Sequence, residues 1–305
     1  MTVVHDFEAW PRGPLFVTVG VFDGVHVGHR EVIKGTAERA HAQSGRAIAT
    51  TFDPLPIQVL APAAPPFGLS DIDERAQLLQ DAGADDVVIF HFTMEFAGMT
   101  PAEFIQRVAR AGDVRQIVVG KDFQFGHDRA GNVETLIEAG PTFGFEVFVA
   151  PPVRADGEVV SSTRVRNALI AGDVTSAARL LGRPYSVRGT IARGSEHGRG
   201  LGFPAIDLAV PPTRLLPRDG IYAMTLVIRG QRIRAVGSVS VRPTLGGADR
   251  TLEAFPLEPT PHTSDEVIEA VFVKRLRDDV RFATPAELSE QIARDVAAAR
   301  QALTE

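Results

Sequence analysis

The first half of the chain alternates short apolar runs with longer segments of helical periodicity, and this alternation restricts the folds available to it. The clearest apolar runs are residues 15–19, 47–52, 87–90 and 116–120. Strands that are apolar on both faces are typical of a parallel sheet covered by helices on both sides. The pattern therefore predicts a doubly wound α/β domain, whose ligands bind at the carboxyl ends of the strands.

The second half of the chain has a different pattern. From residue 184 onwards, β-like segments separated by Gly and Pro dominate, and a single helical segment, residues 284–303, closes the chain. Short strands with turn residues between them are typical of small antiparallel barrels. A length of 305 residues also suggests about two domains. We therefore expect an α/β domain over residues 1–183 and a β-barrel domain with a C-terminal helix over 184–305.

Composition excludes several classes of function. The net charge is −6, so no general basic field attracts the chain to nucleic acid or to an anionic membrane. The absence of cysteine excludes disulfides, thiolate catalysis and cysteine-ligated metals. The N-terminus lacks the pattern of a signal peptide, and no run reaches the ~18 apolar residues of a membrane span. We expect a cytoplasmic protein without nucleic-acid or membrane partners, and self-association stays open.

The segment "GVFDGVHVGH", residues 20–29, combines the features of a phosphate-binding turn. It follows an apolar strand predicted to end at Phe22, and a helix is predicted to begin near His26. Helix N-termini present unpaired N–H groups that bind phosphate, and two histidines three residues apart share one helix face. His26 and His29 are therefore candidate catalytic residues, and the alternative is a pair of surface histidines at a helix cap. The other candidate lining residues are Gly20, Phe22, Asp23, Gly24 and Gly28.

A second polar cluster occurs in "SSTRVRNALIAGDV", residues 161–174. Ser161, Ser162 and Thr163 precede a helical run, so one of them is expected to cap the helix and the others could bond a phosphate. Arg164 and Arg166 carry guanidinium groups suited to bidentate phosphate contact. The alternative is ordinary helix capping with solvated arginines.

Together these segments resemble the HxGH nucleotidyltransferases, and more closely the prokaryotic bifunctional FAD synthases (riboflavin kinase/FMN adenylyltransferase). Further motifs follow in the order of that family and extend the resemblance over nearly the whole chain. They include "TFDPLP", "VVGKDFQFG", "LLGRPYSVRGTI", "GRGLGFPAIDL" and "TLEAFPL". The resemblance implies a nucleotidyltransferase domain of the HxGH superfamily followed by a riboflavin-kinase-like barrel.

The resemblance also implies a reaction for the first domain. AMP would pass from ATP to FMN, giving FAD and pyrophosphate, with Mg²⁺ shielding the phosphate charge. The phosphates would lie on the turn that contains His26 and His29, while Asp23 orders that turn. The β-, γ- or leaving phosphates would be held by Ser162, Thr163 and Arg166. The flavin and nucleotide pocket would include Asp122 and Phe123.

Several positions depart from the family pattern. Leu55 stands where the family usually has His, and Ala205 replaces a Thr that serves Mg²⁺ and ATP phosphate. Asp207 replaces an Asn but retains an oxygen for a metal ion, while Glu253 matches the catalytic base of riboflavin kinases. Gly202 belongs to the glycine-rich loop expected to contact nucleotide. Phosphorylation of riboflavin by the second domain is therefore left open.

Three hypotheses follow from the sequence. The first is an FAD synthase-like enzyme that adenylylates FMN. The second keeps nucleotidyl transfer but uses another flavin or phosphorylated acceptor, because Leu55 removes a polar contact. The third is a flavin- or nucleotide-binding regulator without turnover, because both domains have lost polar ligands.

Overall fold

The computed structural model describes the chain except for residues 1, 8–9, 66, 192–204, 245–246, 261–265, 281 and 305. The chain divides into two compact units, Met1–Ser162 and Thr163–Glu305. The boundary predicted between residues 183 and 184 lies inside the second unit and stays a prediction.

The first unit is built on a six-stranded parallel sheet, in the order β1-β4-β3-β2-β5-β6. The strands are β1 (Thr2–His5), β2 (Pro14–Val19), β3 (Arg46–Asp53), β4 (Asp86–His91), β5 (Asp113–Gly120) and β6 (Glu146–Ala150). The helices that follow them are α1 (Val27–Ala42), α2 (Pro56–Leu60), α3 (Ile72–Asp81), α4 (Met94–Ala97), α5 (Pro101–Arg110) and α6 (Val133–Phe143). A short hairpin of β7 (Arg154–Ala155) and β8 (Glu158–Val159) leads to the end of the unit.

Both faces of this sheet are covered, as the apolar runs predicted. Along β2, Val17 packs into a large cluster with Ile48 and Phe104, while Phe16 packs on the opposite face against Ala37 of α1. Fully burying an aliphatic or aromatic side chain of this size contributes roughly 1.5–3 kcal/mol. The doubly wound α/β prediction is therefore confirmed.

The strand order reverses at β2. From β2 the chain moves to β3 and β4 on one side, and later crosses to β5 and β6 on the other. In open parallel sheets, ligands bind outside the carboxyl ends of the strands where the order reverses. The turn after β2 and the loop after β5 therefore share one candidate binding crevice.

Two local predictions for this unit were incomplete. Strand β2 ends at Val19, three residues before the predicted end, because Phe22 adopts a left-handed conformation with φ of 49°. At Gly20, a Cβ would lie 2.8 Å from the ring of Phe22, so any larger residue would force that ring to move. The edge strand β1 was not predicted, since its four residues are too short to show a periodicity.

The second unit contains a closed antiparallel barrel, in the order β10-β13-β12-β11-β14-β9. Helices α7 (Ser162–Ala171) and α8 (Val174–Leu181) precede it along the chain. Its strands are β9 (Tyr185–Ile191), β10 (Ile206–Ala209), β11 (Gly220–Ile228), β12 (Gln231–Thr244), β13 (Gly247–Pro256) and β14 (Val267–Arg277). Helix α9 (Pro285–Ala302) closes the chain, which confirms the predicted barrel and C-terminal helix.

Aromatic rings fill part of the barrel. Tyr222 is fully buried, and its ring meets that of Phe272 edge to face at 5.2 Å, while Tyr185 stacks on Phe272 at 6.2 Å. The Tyr222 hydroxyl donates to the carbonyl of Arg218, and burial raises the pKa of this phenol. Outside the barrel, Ala299 of α9 is fully buried. In the described part of the chain, no helix combines the length and the apolar character that crossing a membrane requires.

Candidate active site

The turn after β2 is fixed by a buried carboxylate. Asp23 is 1% exposed, and its oxygens accept hydrogen bonds from the backbone N–H of Leu69 at 2.9 and 3.0 Å and of Ser70 at 3.0 Å. The Ser70 hydroxyl donates to the same carboxylate at 3.1 Å and accepts from the Gly24 N–H at 3.0 Å. The contacts of Asp23 are thus those of a residue that orders the turn.

The backbone of this turn is strained. Phe22 and Val25 have φ of 49° and 38°, and Gly24 has φ of 79°. Left-handed conformations at non-glycine residues cost on the order of 1–3 kcal/mol and persist only where the surroundings impose them. The hydrogen bonds of the Asp23 carboxylate impose this conformation, because Asp23 lies between the strained residues Phe22 and Val25.

His26 and His29 lie together at the start of α1. His26 is the N-cap, and its Nδ1 accepts the backbone N–H of His29 at 3.2 Å. The two rings stack with centroids 3.6 Å apart and an interplanar angle of 18°, and the Phe22 ring meets His29 edge to face at 5.0 Å. Because Nδ1 of His26 accepts a hydrogen bond, Nε2 carries the proton when this imidazole is neutral. The pair is therefore a built cluster rather than two surface side chains, and His26 is only 5% exposed.

Gly28 leaves room for this pair. A Cβ at that position would lie 3.1 Å from Cε1 and 3.2 Å from Nδ1 of His26. Such contacts are tighter than ordinary van der Waals contacts, so the imidazole would have to shift by a few tenths of an ångström to admit a side chain at position 28. The glycine of the HxGH pattern thus lets the first histidine lie close to the backbone.

The serine-rich segment meets the same turn. The Ser162 hydroxyl donates to the carbonyl of Asp23 at 2.9 Å, which joins residues 139 positions apart in the chain. Ser161 is half-buried beside it in sequence, and α7 begins at Ser162. The structure therefore brings the first serines of the second motif to the histidine turn.

The rest of that motif belongs to the second unit. Thr163 is exposed and Arg164 is half-buried, whereas Arg166 is 8% exposed. The alternative that pictured both arginines as solvated is wrong for Arg166, which lies on the buried side of α7 with Val165 and Leu169.

The loop after β5 contributes aromatic surface to the crevice. Asp122 is exposed, and Phe123 is half-buried with its ring stacked on Phe125 at 5.3 Å and 18°. Phe125 is 8% exposed and packs into the large apolar cluster of this unit. Phe123 therefore presents part of its ring at the strand ends, while Phe125 belongs to the core.

At the end of β3, Leu55 is buried rather than exposed to the crevice. Its side chain is 4% exposed, and its backbone N–H donates to Oε1 of Gln58 at 2.7 Å, at the start of α2. The position that carries His in the resembled family is thus an apolar packing position in this chain.

Two residues of this region were missed by sequence reasoning. Ser70 contacts Asp23 from 47 positions away, and no local pattern signals such a contact. Arg75 is 2% exposed and bonds the ends of β2 and β3. A signal for Arg75 exists in the sequence, because it occupies the apolar stripe of α3 between Ile72 and Leu79.

In the barrel, the two predicted carboxylates face each other. Asp207 of β10 pairs directly with Glu253 of β13, and both side chains are half-buried. Their neighbours Ile206, Leu208 and Ala254 are buried, so the carboxylates lie on the opposite face of the strands, outside the barrel. Gly202 falls outside the described residues.

Asp207 and Glu253 begin a row of paired residues that runs across the outer face of neighbouring barrel strands. Glu253 also pairs with Ser238, and Ser238 pairs with Ile221, which packs against Ala299 of α9. Ala205, immediately before β10, is half-buried and brings no hydroxyl to this row. Within the described residues, no group of three or more His, Asp or Glu side chains is arranged to hold a metal ion.

Comparison with known proteins agrees with both halves of this arrangement. Residues 10–164 match the FAD synthetase family model, and residues 181–303 match the riboflavin kinase model. A bifunctional riboflavin kinase/FMN adenylyltransferase of Pseudomonas fluorescens is 36% identical over 299 residues, covering 97% of this chain and 95% of that protein. The chain belongs to the bifunctional riboflavin kinase/FMN adenylyltransferase family.

A second relative within the family supports the same assignment. The protein of the same description from Escherichia coli (strain K12) is 33% identical over 301 residues, covering 98% of this chain and 96% of that protein. Among solved structures, a protein named a macrolide-efflux protein from Streptococcus pneumoniae superposes with a TM-score of 0.88 at 28% identity, over 98% of each chain. The resemblance inferred from the motifs is confirmed for both halves of the chain.

Proposed function

We propose that the first unit transfers AMP from ATP to FMN and releases FAD and pyrophosphate. The observation that carries this proposal is the stacked pair His26 and His29 at the start of α1, at the carboxyl end of β2. A helix N-terminus that bears two imidazoles favours the binding of a phosphate group. Membership of the bifunctional family supports the same reaction.

In this reaction an oxygen of the FMN phosphate attacks the α-phosphorus of ATP in line. The new bond joins that oxygen to the α-phosphorus, and the bond to the β-phosphate oxygen breaks with its electron pair on pyrophosphate. No protein nucleophile is required, so the residues act by positioning and by stabilising charge. His26, through Nε2–H, and His29 would donate to the α-phosphate as negative charge develops there.

The remaining residues of the first motif and its partners take supporting roles in this proposal. Gly20, Phe22, Asp23, Gly24 and Gly28 shape the turn. Ser162 fastens the turn through the Asp23 carbonyl, and Ser161 lies next to it. The phosphate contacts of Thr163, Arg164 and Arg166 stay predictions from the sequence, while Asp122 and Phe123 would line the flavin and nucleotide pocket.

The second unit would phosphorylate riboflavin. Glu253 would take the proton of the ribityl hydroxyl as that oxygen attacks the γ-phosphorus of ATP. The bond from the γ-phosphorus to the β-phosphate oxygen breaks, and ADP leaves with its electron pair. The match to the riboflavin kinase model and the placement of Glu253 opposite Asp207 support this role.

The facing carboxylates also fit a magnesium ion. Mg²⁺ prefers carboxylate and phosphate oxygens as ligands. Asp207 would therefore hold the metal together with the ATP phosphates. The ion supplies neutralisation of phosphate charge when it is bound. Ala205 provides no hydroxyl ligand, so we expect weaker metal and nucleotide binding than a Thr would give.

A different acceptor of AMP, which the leucine at position 55 suggested, is not favoured, because the relatives that cover nearly the whole chain are described as FMN adenylyltransferases. Leu55 is 4% exposed and packs at the start of α2.

The test is product analysis of the full chain with ATP and Mg²⁺, using FMN in one reaction and riboflavin in another. FAD and pyrophosphate from FMN are expected, as is FMN from riboflavin. A folded protein that forms no FAD from FMN contradicts the proposal for the first unit. A panel of flavin phosphates checks the acceptor, and we expect FMN to have the highest kcat/KM. A cytoplasmic location, the lack of nucleic-acid and membrane partners, and self-association remain predictions from the sequence.

A further inference from the structure

Arg75 is a buried cation at the end of the parallel sheet. It lies on α3, is 2% exposed, and is among the largest fully buried side chains of the chain. Its Nη1 donates to the carbonyl of Phe52 at 3.0 Å, to Oγ1 of Thr51 at 3.1 Å and to the carbonyl of Val21 at 3.3 Å. A guanidinium removed from water is stable only when it is well hydrogen-bonded, so these contacts hold its position closely.

These acceptors lie just beyond the paired part of two neighbouring strands. The last β2–β3 pair is Val19 with Thr50, so Val21 and Phe52 follow it on each strand. The next carbonyl of β3, that of Asp53, points the other way and accepts the N–H of Phe92. Where the β2–β3 ladder ends, hydrogen bonds from Arg75 therefore continue the connection between the two strands.

Thr51 completes this connection. Its hydroxyl donates to the carbonyl of Val21 at 2.7 Å while accepting from Arg75. Arg75, Thr51 and the two carbonyls thus form one network, which we call the Arg75 link. Networks of buried polar groups that are bonded to one another specify one arrangement of the segments they join.

The two segments joined by the Arg75 link lead into two different loops. Val21 directly precedes the turn of Phe22 and Asp23 that carries the histidines, and Phe52 directly precedes residues 53–55, which contain Leu55. We propose that Arg75 is a positioning residue for AMP transfer, fixing the histidine turn relative to residues 53–55. The proposal rests on the proposed function, because the histidine turn would bind the α-phosphate of ATP in that transfer.

This role predicts a kinetic signature. If the Arg75 link fixes the histidine turn relative to residues 53–55, its loss displaces the α-phosphorus from the attacking oxygen. A misplacement of about 1 Å costs about 100-fold in rate. The KM of ATP should rise and kcat should fall, because the turn that would bind the α-phosphate is no longer held in place. A side chain that only fills space would leave the KM of ATP unchanged in the folded protein.

The experiment compares Arg75→Met with Arg75→Lys in the full chain. Methionine fills much of the space without donating, whereas the lysine ammonium donates from nearly the same place. We expect kcat/KM for FAD formation to fall about 100-fold in Arg75→Met and to recover about tenfold in Arg75→Lys. Arg214→Met is the matched control, since Arg214 is also buried, at 5% exposed, and donates to the Ser186 carbonyl within the second unit. This control should lower stability without changing FAD formation.

Thr51→Val provides an independent test if Arg75→Met does not fold, because it removes one hydroxyl and keeps the side-chain shape. We expect a loss of about tenfold in kcat/KM, which does not add to the loss from Arg75→Lys when the two are combined. Additive losses overturn the proposal, as does a folded Arg75→Met protein with wild-type kcat/KM or with an unchanged KM for ATP. The wild-type chain is assayed first. Failure of the wild type to form FAD overturns the proposed function and not the role of Arg75 in the fold.

Discussion

The two units place their candidate residues in different ways. In the first, the side chains come from turns and helix starts, and a hydrogen bond between residues 139 positions apart closes the site. In the second, Asp207 and Glu253 occupy facing positions of two adjacent strands. A loop site depends on many distant contacts, whereas a strand site is set by register alone. Changes to single residues should therefore spread further in the first unit than in the second.

The largest expected effect tests the histidine pair. His29→Ala should lower AMP transfer about 100- to 1,000-fold, since it removes one donor to the developing charge. The N-cap is retained, because His26 accepts the backbone N–H of residue 29 and not its side chain. FAD formation by chromatography is the measurement, with thermal unfolding to verify the fold. His127→Ala is the control, its side chain being 61% exposed, and a similar loss in that variant would reject the assignment.

The second effect tests the strand site. Glu253→Gln should lower riboflavin phosphorylation about 100-fold or more, because a general base contributes that much. AMP transfer to FMN should stay unchanged in the same preparation. Glu269→Gln, at a half-buried glutamate of β14, is the matched control. Equal loss of both activities in Glu253→Gln would mean that the two units do not act separately.

A smaller effect in the opposite direction concerns Ala205. Ala205→Thr should raise kcat/KM for riboflavin phosphorylation about tenfold, since a hydroxyl ligand to charged groups is restored. Initial rates of FMN formation at limiting ATP measure this. Ala205→Val adds similar bulk without a hydroxyl, and an equal gain in that variant would assign the effect to packing.

The smallest effect concerns stability in the second unit. Asp173 caps α8 by accepting the Ser176 N–H at 2.8 Å, and hydrogen bonds from the side chain and backbone of Ser176 lower the pKa of this carboxyl. Its stabilisation is therefore complete above the ordinary pKa near 3.8 and is lost as pH falls through the lower folded value. At neutral pH, Asp173→Ala should cost about 1 kcal/mol of unfolding free energy, and Asp173→Asn much less.

Urea unfolding followed by two spectroscopic probes tests this last prediction. The single tryptophan, Trp10, lies in the first unit, so its fluorescence reports that unit, while circular dichroism reports both. We expect the Asp173→Ala change in the circular dichroism transition and not in the fluorescence. A matching shift of both transitions would show that the two units unfold together.

Local patterns in the sequence were sufficient for much of the fold. The apolar strand β2 and the helix α3 with its Asp71 cap follow from periodicity and capping, which act over a few residues. The same is true of His26 and His29, whose spacing places them on one helix turn. The contacts that hold the site were not predictable, because Asp23 finds Ser70 through the fold and Arg75 reaches carbonyls 23 and 54 positions away. Such partners depend on which strands become neighbours, and no short-range pattern encodes that.

The hydrogen bonds from Leu69 and Ser70 to Asp23 determine which mutations the preceding loop can accept without disturbing the histidine turn. The segment between α2 and Leu69 is rich in proline and alanine, and its far end is fastened to the histidine turn by backbone N–H groups. Backbone donors do not depend on side-chain identity, so substitutions in the segment leave the fastening intact. The proline- and alanine-rich segment can thus change in sequence while the geometry of the histidine turn is kept.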